Sequence, residues 1–226
     1  MVPSLRDPDL LRSQAYLGGG WVDGTGSRFD SRDPADGTSI GTVPDLGPDD
    51  AVTAVEAAAA ALAGWRARTA KERAVILRRF ADLMVANIDD LAALMTAEQG
   101  KPLAEAAGEV RYAASFLEWA GEEGKRAYGQ VIPTFAADRR LLVVKQPAGV
   151  AVAITPWNFP FAMITRKAGF ALAAGCPIVV KPAEDTPLCA LALAVLAERA
   201  GVPAGVFQVL TTTDAAGVGA VLTTHP

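Results

Sequence analysis

The sequence predicts an α/β protein: a layer of helices, then a parallel sheet, with an extended ribbon between them. Three observations predict it. Two near-continuous apolar runs, Gly149 to Thr155 and Ile178-Val179-Val180, flank a helix-length stretch, the pattern of parallel strands covered on both faces. Leu103, Ala106, Ala107, Val110, Ala113, Ala114, Leu117 and Ala120 repeat with the period of an α-helix. Residues 17–44 carry short apolar runs separated by Gly and Asp turns.

The bulk composition narrows the classes. A chain of 226 residues that is 51% hydrophobic can bury a core. Its formal net charge of -4 gives no global field for nucleic acid or an anionic membrane. No apolar run reaches the roughly 18 residues of a membrane span, and the N-terminus lacks a signal-type core; a cytoplasmic protein is the expectation. Two cysteines, Cys176 and Cys189, make no disulfide framework, and with one histidine, His225, they make no metal site. A histidine at the penultimate position also argues against triad chemistry.

Taken in order, residues 1–16 form a lead-in. Leu17 to Pro44 reads as a small antiparallel ribbon, with Asp23-Gly24 and Asp36-Gly37 as hairpin turns. Gly47-Pro48-Asp49-Asp50 opens a helix with Val52, Val55, Ala58, Ala59 and Leu62 on one face, ending at Gly64. Thr69-Ala70-Lys71-Glu72 is a capping box for a helix with Ile76, Leu77, Phe80, Leu83 and Met84 inward. Leu91, Leu94 and Met95 mark a further helix, capped by Gly100, and Pro102 takes the first position of the next. The alanine-rich stripe of that helix predicts close packing against another backbone. Trp65 and Trp119 read as core or helix-edge aromatics, and Glu98, Glu105 and Glu109 as solvated faces. Residues 131–148 are extended, with LLVVKQ as a strand suited to pairing between subunits. After the strand 149–155 comes a helix from Phe161 to Ala174, closed by Gly175. The second strand leads to Thr186-Pro187 as N-cap and first residue of a helix to Ala200, closed by Gly201. Val206 to Leu210 is a third strand and Asp214 to Leu222 a last helix.

Both buried strands end in polar, proline-rich turns, the place where open α/β sheets bind ligands. In TPWNFP, the Asn158 amide can stabilise an oxyanion; the alternative is an ordinary turn residue, a very common place for Asn. In VKPAED, Glu184 can accept a ribose diol and Lys181 can donate to it; the alternative is a solvated charge pair. Arg166 and Lys167 either bind an anion or cover the surface of their helix.

ITPWNFP, TRKAGFALAAGC and VVKPAEDTPL together resemble the aldehyde dehydrogenase superfamily. With LLVVKQPAGV, ALAVLAERAGVPAGVFQVL and EQGKPLAEAAGEV added, the resemblance is closest to its succinate-semialdehyde dehydrogenases, and runs from about Leu17 onward. It implies a Rossmann-type NAD-binding sheet. Residues 1–130 would be the ribbon and helices of the cofactor-binding domain, 131–148 an oligomerisation ribbon, and 149–226 an incomplete cofactor-binding core without the catalytic domain. It implies NAD- or NADP-dependent oxidation of an aldehyde to an acid, most simply succinate semialdehyde to succinate, through a cysteine thiohemiacetal and thioester. The partners would be a small aldehyde and, in a complete enzyme, further copies of the chain.

By motif, Asn158 would be the oxyanion donor and Lys167 part of a polar network. Ile154, Thr155, Pro156 and Trp157 would line the cofactor channel, Lys181 and Glu184 would hold the adenosine ribose, and Arg166 would pair with the substrate carboxylate. Glu184 favours NAD over NADP, because a carboxylate repels a 2′-phosphate; NADP stays possible. The family's catalytic cysteine, general-base glutamate and glycine-containing phosphate turn are expected downstream. Cys176 and Cys189 match none of their motifs and read as small apolar fillers. The expectation is no turnover by this chain alone. The other readings are a non-catalytic nucleotide-binding or assembly fragment, or a member acting on glutarate semialdehyde or on non-acidic aldehydes.

Overall fold

A computed structural model describes residues 3–225. Its central sheet has five strands, in the order β2 (Gly20–Val22), β1 (Ala15–Leu17), β9 (Phe207–Val209), β8 (Ile178–Lys181) and β7 (Ala151–Ile154). The parallel part is β7, β8 and β9. Two short strands near the N-terminus, β1 and β2, extend it through an antiparallel contact of Tyr16 with Val209. β3 (Arg28–Arg32) and β4 (Ser39–Pro44) form a separate hairpin, and so do β5 (Gln130–Ile132) and β6 (Leu141–Val143).

The N-terminal ribbon is therefore two hairpins, and only Asp36-Gly37 lies in a hairpin connection. The first hairpin turns at Gly18-Gly19, both at positive φ (60° and 91°), as a two-residue type I′ turn requires. Asp23-Gly24 instead links one hairpin to the next.

Helices cover both faces. On one lie α1 (Pro48–Arg66) and α7 (Ala215–Thr224), which with Val179 enclose a small core of Ala51, Ala54, Val55, Val218 and Leu222. The other face carries α5 (Ala162–Ala174) and α6 (Pro187–Ala200), backed by α2 (Ala70–Ala86), α3 (Ile88–Gln99) and α4 (Leu103–Gly124). β8 alternates between the two cores, Val179 to one and Ile178 and Val180 to the other. That is why its sequence is apolar without interruption.

The capping box at Thr69 forms as expected: Glu72 accepts from the Thr69 amide at 2.7 Å, and Thr69 Oγ1 accepts from the Glu72 amide at 3.2 Å. Gly100, Gly175 and Gly201 cap their helices in the left-handed conformation. Two boundaries and one buried face differ. α1 runs past Gly64 to Arg66 because Trp65 is buried and its indole donates to Leu172 O at 3.1 Å. Its buried face is Ala51, Ala54, Val55, Ala58 and Trp65, so Val52 and Leu62 are only half-buried and Ala59 faces solvent. Pro102 is the N-cap of α4 rather than its first residue. The alanine stripe of α4 does pack closely: Gly169 of α5 lies against Phe116 O and Ala120, so a Cβ there would stand 3.2 Å from that carbonyl oxygen. Trp119 sits exposed at the helix edge.

Thr186 occupies the N-cap of α6, but its side chain makes no capping bond. The cap comes from Glu98, on α3. Its Oε1 accepts the Leu188 amide at 2.6 Å and the Ser31 hydroxyl at 3.0 Å, and its Oε2 accepts the Cys189 amide at 2.8 Å. Glu98 is 2% exposed, so its reading as a solvated residue is corrected; the amides it accepts would otherwise be buried without partners. Glu105 is exposed, as expected.

Burial pushes the Glu98 carboxyl up to about 7, against the bonds from Cys189, Leu188 and Ser31. The folded pKa thus lies above the ordinary 4.5, and the native state binds the extra proton. Glu98's contribution is full below the lower value and is lost as pH rises through the higher one. Urea unfolding between about pH 4.5 and about pH 7.5 is expected to show stability falling across this window, with a flatter slope in Glu98→Gln. Glu98→Ala, which uncaps α6, should lose about 1–3 kcal/mol. An equal pH slope in wild type and Glu98→Gln would refute the assignment.

Candidate functional site

β7 and β8 are paired so that Ile154 stands opposite Lys181. The chain leaves both strands at the same edge, and the two polar turns lie side by side. The Thr155 amide continues the ladder to Lys181 O at 3.0 Å. Past it, Pro156, Trp157, Asn158 and Phe159 are exposed, while Pro160 turns inward. The second turn has the same form: Pro182 and Ala183 are buried and Glu184 and Asp185 exposed.

Lys181 is 3% exposed, and its ammonium reaches Glu184 Oε2 at 3.3 Å. The Glu184 side chain is 47% exposed. A bond from its own backbone amide, then the Lys181 charge, hold its carboxyl below the usual range. The pair is anchored at its cation and open at its carboxylate. Beside it a cavity of about 490 Å³ opens between Trp157, Glu184, Asp185 and Thr186 on one side and, on the other, Arg32 at the end of β3 and Asp33 just after it.

Asn158 is exposed, and its side-chain amide makes no hydrogen bond with the described residues. Its main chain is held instead. Asn158 O accepts from Lys101 Nζ at 3.1 Å, and that ammonium lies 4.0 Å over the Phe159 ring. Lys101 also bonds Glu109 Oε2. Glu109 Oε1 in turn accepts the Phe161 and Ala162 amides, at 3.1 and 3.3 Å, where α5 begins. Glu109 is 4% exposed, a second correction to the solvated reading. The Asn158 turn is thus held to α4 by a buried ion pair.

Arg166 and Lys167 diverge on α5. The Arg166 guanidinium is exposed and lies 5.4 Å over the Phe116 ring. Lys167 donates back to Met163 O at 3.1 Å; partial burial, then the Arg166 charge, lower its pKa. No hydrogen bond links Lys167 to Asn158 among the described residues. Ile154 and Trp157 are half exposed at the strand end and in the turn. No cluster of metal-ligating side chains occurs among the described residues.

Neither cysteine lies in these turns. Cys176 is buried just before the start of β8, at the opposite end of that strand. Cys189 is wholly buried in the first turn of α6; burial, then the charge of Glu98, push its thiol well above the ordinary value. A buried apolar setting of this kind suppresses the thiolate that nucleophilic chemistry needs.

Lys101, Glu98 and Glu109 escaped the sequence reading, although a signal was present. Glu109 sits three residues after Ala106 and four before Ala113, on the apolar stripe of its own helix. Glu98 lies three and four residues after Met95 and Leu94. A carboxylate at the buried position of a helical period implies a buried donor.

The sequence pattern of the Aldehyde dehydrogenase family matches residues 21–226. The chain belongs to that family. It is 60% identical over 223 residues to the NADP(+) succinate-semialdehyde dehydrogenase GabD of Escherichia coli strain K12, covering 98% of this chain and 46% of the relative. A glutarate-semialdehyde dehydrogenase of Pseudomonas aeruginosa is 61% identical over the same span and with the same coverage. The crystal structure of a succinate-semialdehyde dehydrogenase from Burkholderia pseudomallei superposes with a TM-score of 0.96 at 60% identity, over 99% of this chain and 46% of that one. The chain spans about half the length of the relatives it matches. The aldehyde dehydrogenase fold is therefore established together with the family.

The Lys101–Glu109 pair carries a test. With side-chain exposures of 11% and 1%, removing one partner strands a buried charge. Lys101→Met is expected to cost about 3 kcal/mol or more in urea unfolding. Lys101→Met with Glu109→Gln should recover part of that loss. Amide hydrogen exchange at Phe161 and Ala162 should rise in the single variant; unchanged exchange there would remove the pair from its role in holding the turn.

Proposed function

We propose that the paired turns after β7 and β8 form the cofactor-ribose and oxyanion half of an aldehyde dehydrogenase active site. The reaction is oxidation of an aldehyde to a carboxylic acid, with succinate semialdehyde as the substrate and NAD favoured over NADP. The observation that carries this reading is the register of Ile154 with Lys181, from which the turn carrying the exposed Asn158 amide and the turn carrying the anchored Lys–Glu pair leave adjacent strand ends.

The residues fit a dinucleotide. The Glu184 carboxylate is open to accept both hydroxyls of a ribose, while Lys181 holds it in place and donates in turn. Ile154, Thr155, Pro156 and Trp157 form the wall along which the ligand lies. When bound, the cofactor supplies the hydride acceptor. Asn158, its side-chain amide not engaged among the described residues, donates to the aldehyde oxygen as negative charge grows there. Arg166, displayed over Phe116, takes the far carboxylate of an acidic aldehyde. Lys167 adds positive charge on the same helix. The nucleophilic thiolate belongs to a catalytic domain outside residues 1–226, because both cysteines here are buried away from the turns. Turnover by this chain alone is not expected.

Relatives of nearly equal identity are named for succinate and glutarate semialdehydes. The Arg166 role serves either chain length, so glutarate semialdehyde is the second substrate reading. For assembly we propose β5–β6 as the contact between copies. Val131, Leu142 and Val144 of this region are exposed, and Phe135 at its tip is 90% exposed; both strands keep a free edge. No helix among the described residues is long and apolar enough to cross a membrane. The division into residues 1–130, 131–148 and 149–226 belongs to the same proposal.

NAD titration followed by tryptophan fluorescence tests the cofactor half directly. Saturable binding is expected, with Glu184→Ala weakening it about tenfold through the lost charged hydrogen bonds. NADP should bind more weakly than NAD; a relative carrying NADP(+) in its name makes this comparison decisive. Equal affinity for both would end the Glu184 argument, and no binding of either would end the ribose reading. In a coupled assay with succinate semialdehyde, turnover by the 226-residue chain that disappears in Cys176→Ala would overturn the placement of the nucleophile elsewhere.

A further inference from the structure

At the far end of α5 from the paired turns, a second cavity of about 550 Å³ opens between the end of α1, the start of α2 and the segment after β6. Arg66, Arg68, Arg73 and Lys145 line it, and no acidic side chain does. None of the four belongs to an ion pair among the described residues. Other exposed cations, such as Arg78 with Glu118 and Arg126 with Glu123, have a carboxylate within reach; here four cations share one cavity that no acidic side chain lines.

The cations are held in place by the fold rather than by counter-charges. Arg73 is half-buried; its Nε donates to Ala173 O at 3.0 Å and its Nη1 donates to Arg68 O. The Arg68 guanidinium lies 5.6 Å over the Trp65 ring. Glu72 feels the charges of Arg68 and Arg73, but it is outside the lining, and its Oε2 is spent on the amide and hydroxyl of Thr69 at 2.7 and 2.8 Å. Lys145 arrives from another element, so the four charges converge from three parts of the chain. Four like charges around one cavity, with the Glu72 charge reaching them only from outside the lining, repel one another, and a bound anion relieves that repulsion.

We propose that this cavity binds a small phosphate-bearing anion. Arginine forks match the paired oxygens of a phosphate, and a lysine adds a point charge. The volume admits a phosphorylated metabolite as readily as the inorganic ion. The site lies about 20 Å from the paired turns, the length of the 13-residue α5. α5 starts at the Glu109 cap and ends at Ala173 and Ala174 in this cavity, so an anion here acts on the helix that carries Arg166 and Lys167.

Isothermal titration calorimetry of the full 226-residue chain tests the proposal, with inorganic phosphate, pyrophosphate and ribose 5-phosphate as titrants at constant ionic strength. Saturable binding of at least one is expected, with chloride at matched strength giving no heat. Tighter binding of ribose 5-phosphate than of inorganic phosphate identifies an organic phosphate as ligand; the reverse order identifies the free ion. Arg66→Gln with Lys145→Gln removes two charges that make no ion pair in the fold. This double variant should keep the wild-type melting temperature and lose about tenfold or more in affinity. No saturable binding by the wild-type chain, or wild-type affinity in the double variant, overturns the proposal.

Discussion

Two buried carboxylates hold together the end of this sheet where the two polar turns lie. Glu98 and Glu109 stand on the helical layer, yet each accepts the first amides of a helix that follows a polar turn. A helix N-terminus carries partial positive charge and unpaired donors, so a carboxylate is its natural partner. Here the partner comes from far away in sequence: the Leu188–Glu98 and Phe161–Glu109 bonds span 90 and 52 residues. Local caps would have served α5 and α6 as isolated helices. Caps borrowed from α3 and α4 make the strand-end turns depend on the helical layer. If that layer shifts, the positions of Asn158 and Glu184 shift with it.

The two devices differ in how their charge is balanced. Glu109 has a cation partner in Lys101, and the pair continues to the Asn158 carbonyl. Among the described residues Glu98 is satisfied by neutral donors alone, and burial raises its pKa. The difference follows from position. The Asn158 turn is exposed and needs a tether, and an ammonium with three donors can reach a carboxylate and a carbonyl together. The first turn of α6 is enclosed, and amide donors there suffice.

Much of the fold was legible because its elements announce themselves locally. Strand β8 is apolar throughout because it is covered on both faces, and the Thr69–Glu72 box and the glycine caps need only neighbouring residues. The paired turns were legible for a different reason: Asn158, Lys181 and Glu184 sit in motifs tied to strand ends. What the sequence hid was reciprocal and distant. The Asp-Gly rule pointed to Asp23-Gly24, but the β1–β2 turn is made by Gly18-Gly19, whose positive φ values permit it equally well. Glu98 and Glu109 looked like surface because charged residues usually are. Their place on an apolar helical stripe outweighed that rule, but the donors they serve lie in another part of the chain.

The hidden tether explains the state of Asn158. A donor that stabilises developing charge must arrive oriented, and its hydrogen-bonding capacity must be unspent. Fixing the Asn158 side chain through its own amide would have satisfied the first condition and violated the second. The structure fixes the backbone instead, through Lys101 on the carbonyl oxygen, Glu109 on the amides just beyond, and proline on either side of the turn. The side-chain amide is then left without a partner among the described residues, at an exposed position. The same logic governs the second turn. Lys181 is buried and holds Glu184 by one oxygen, so the carboxylate is anchored while its outer face stays open. In both turns the polar atom that faces solvent is positioned by groups that do not consume it, which is the arrangement expected of ligand-binding residues and not of residues whose only task is to close a loop.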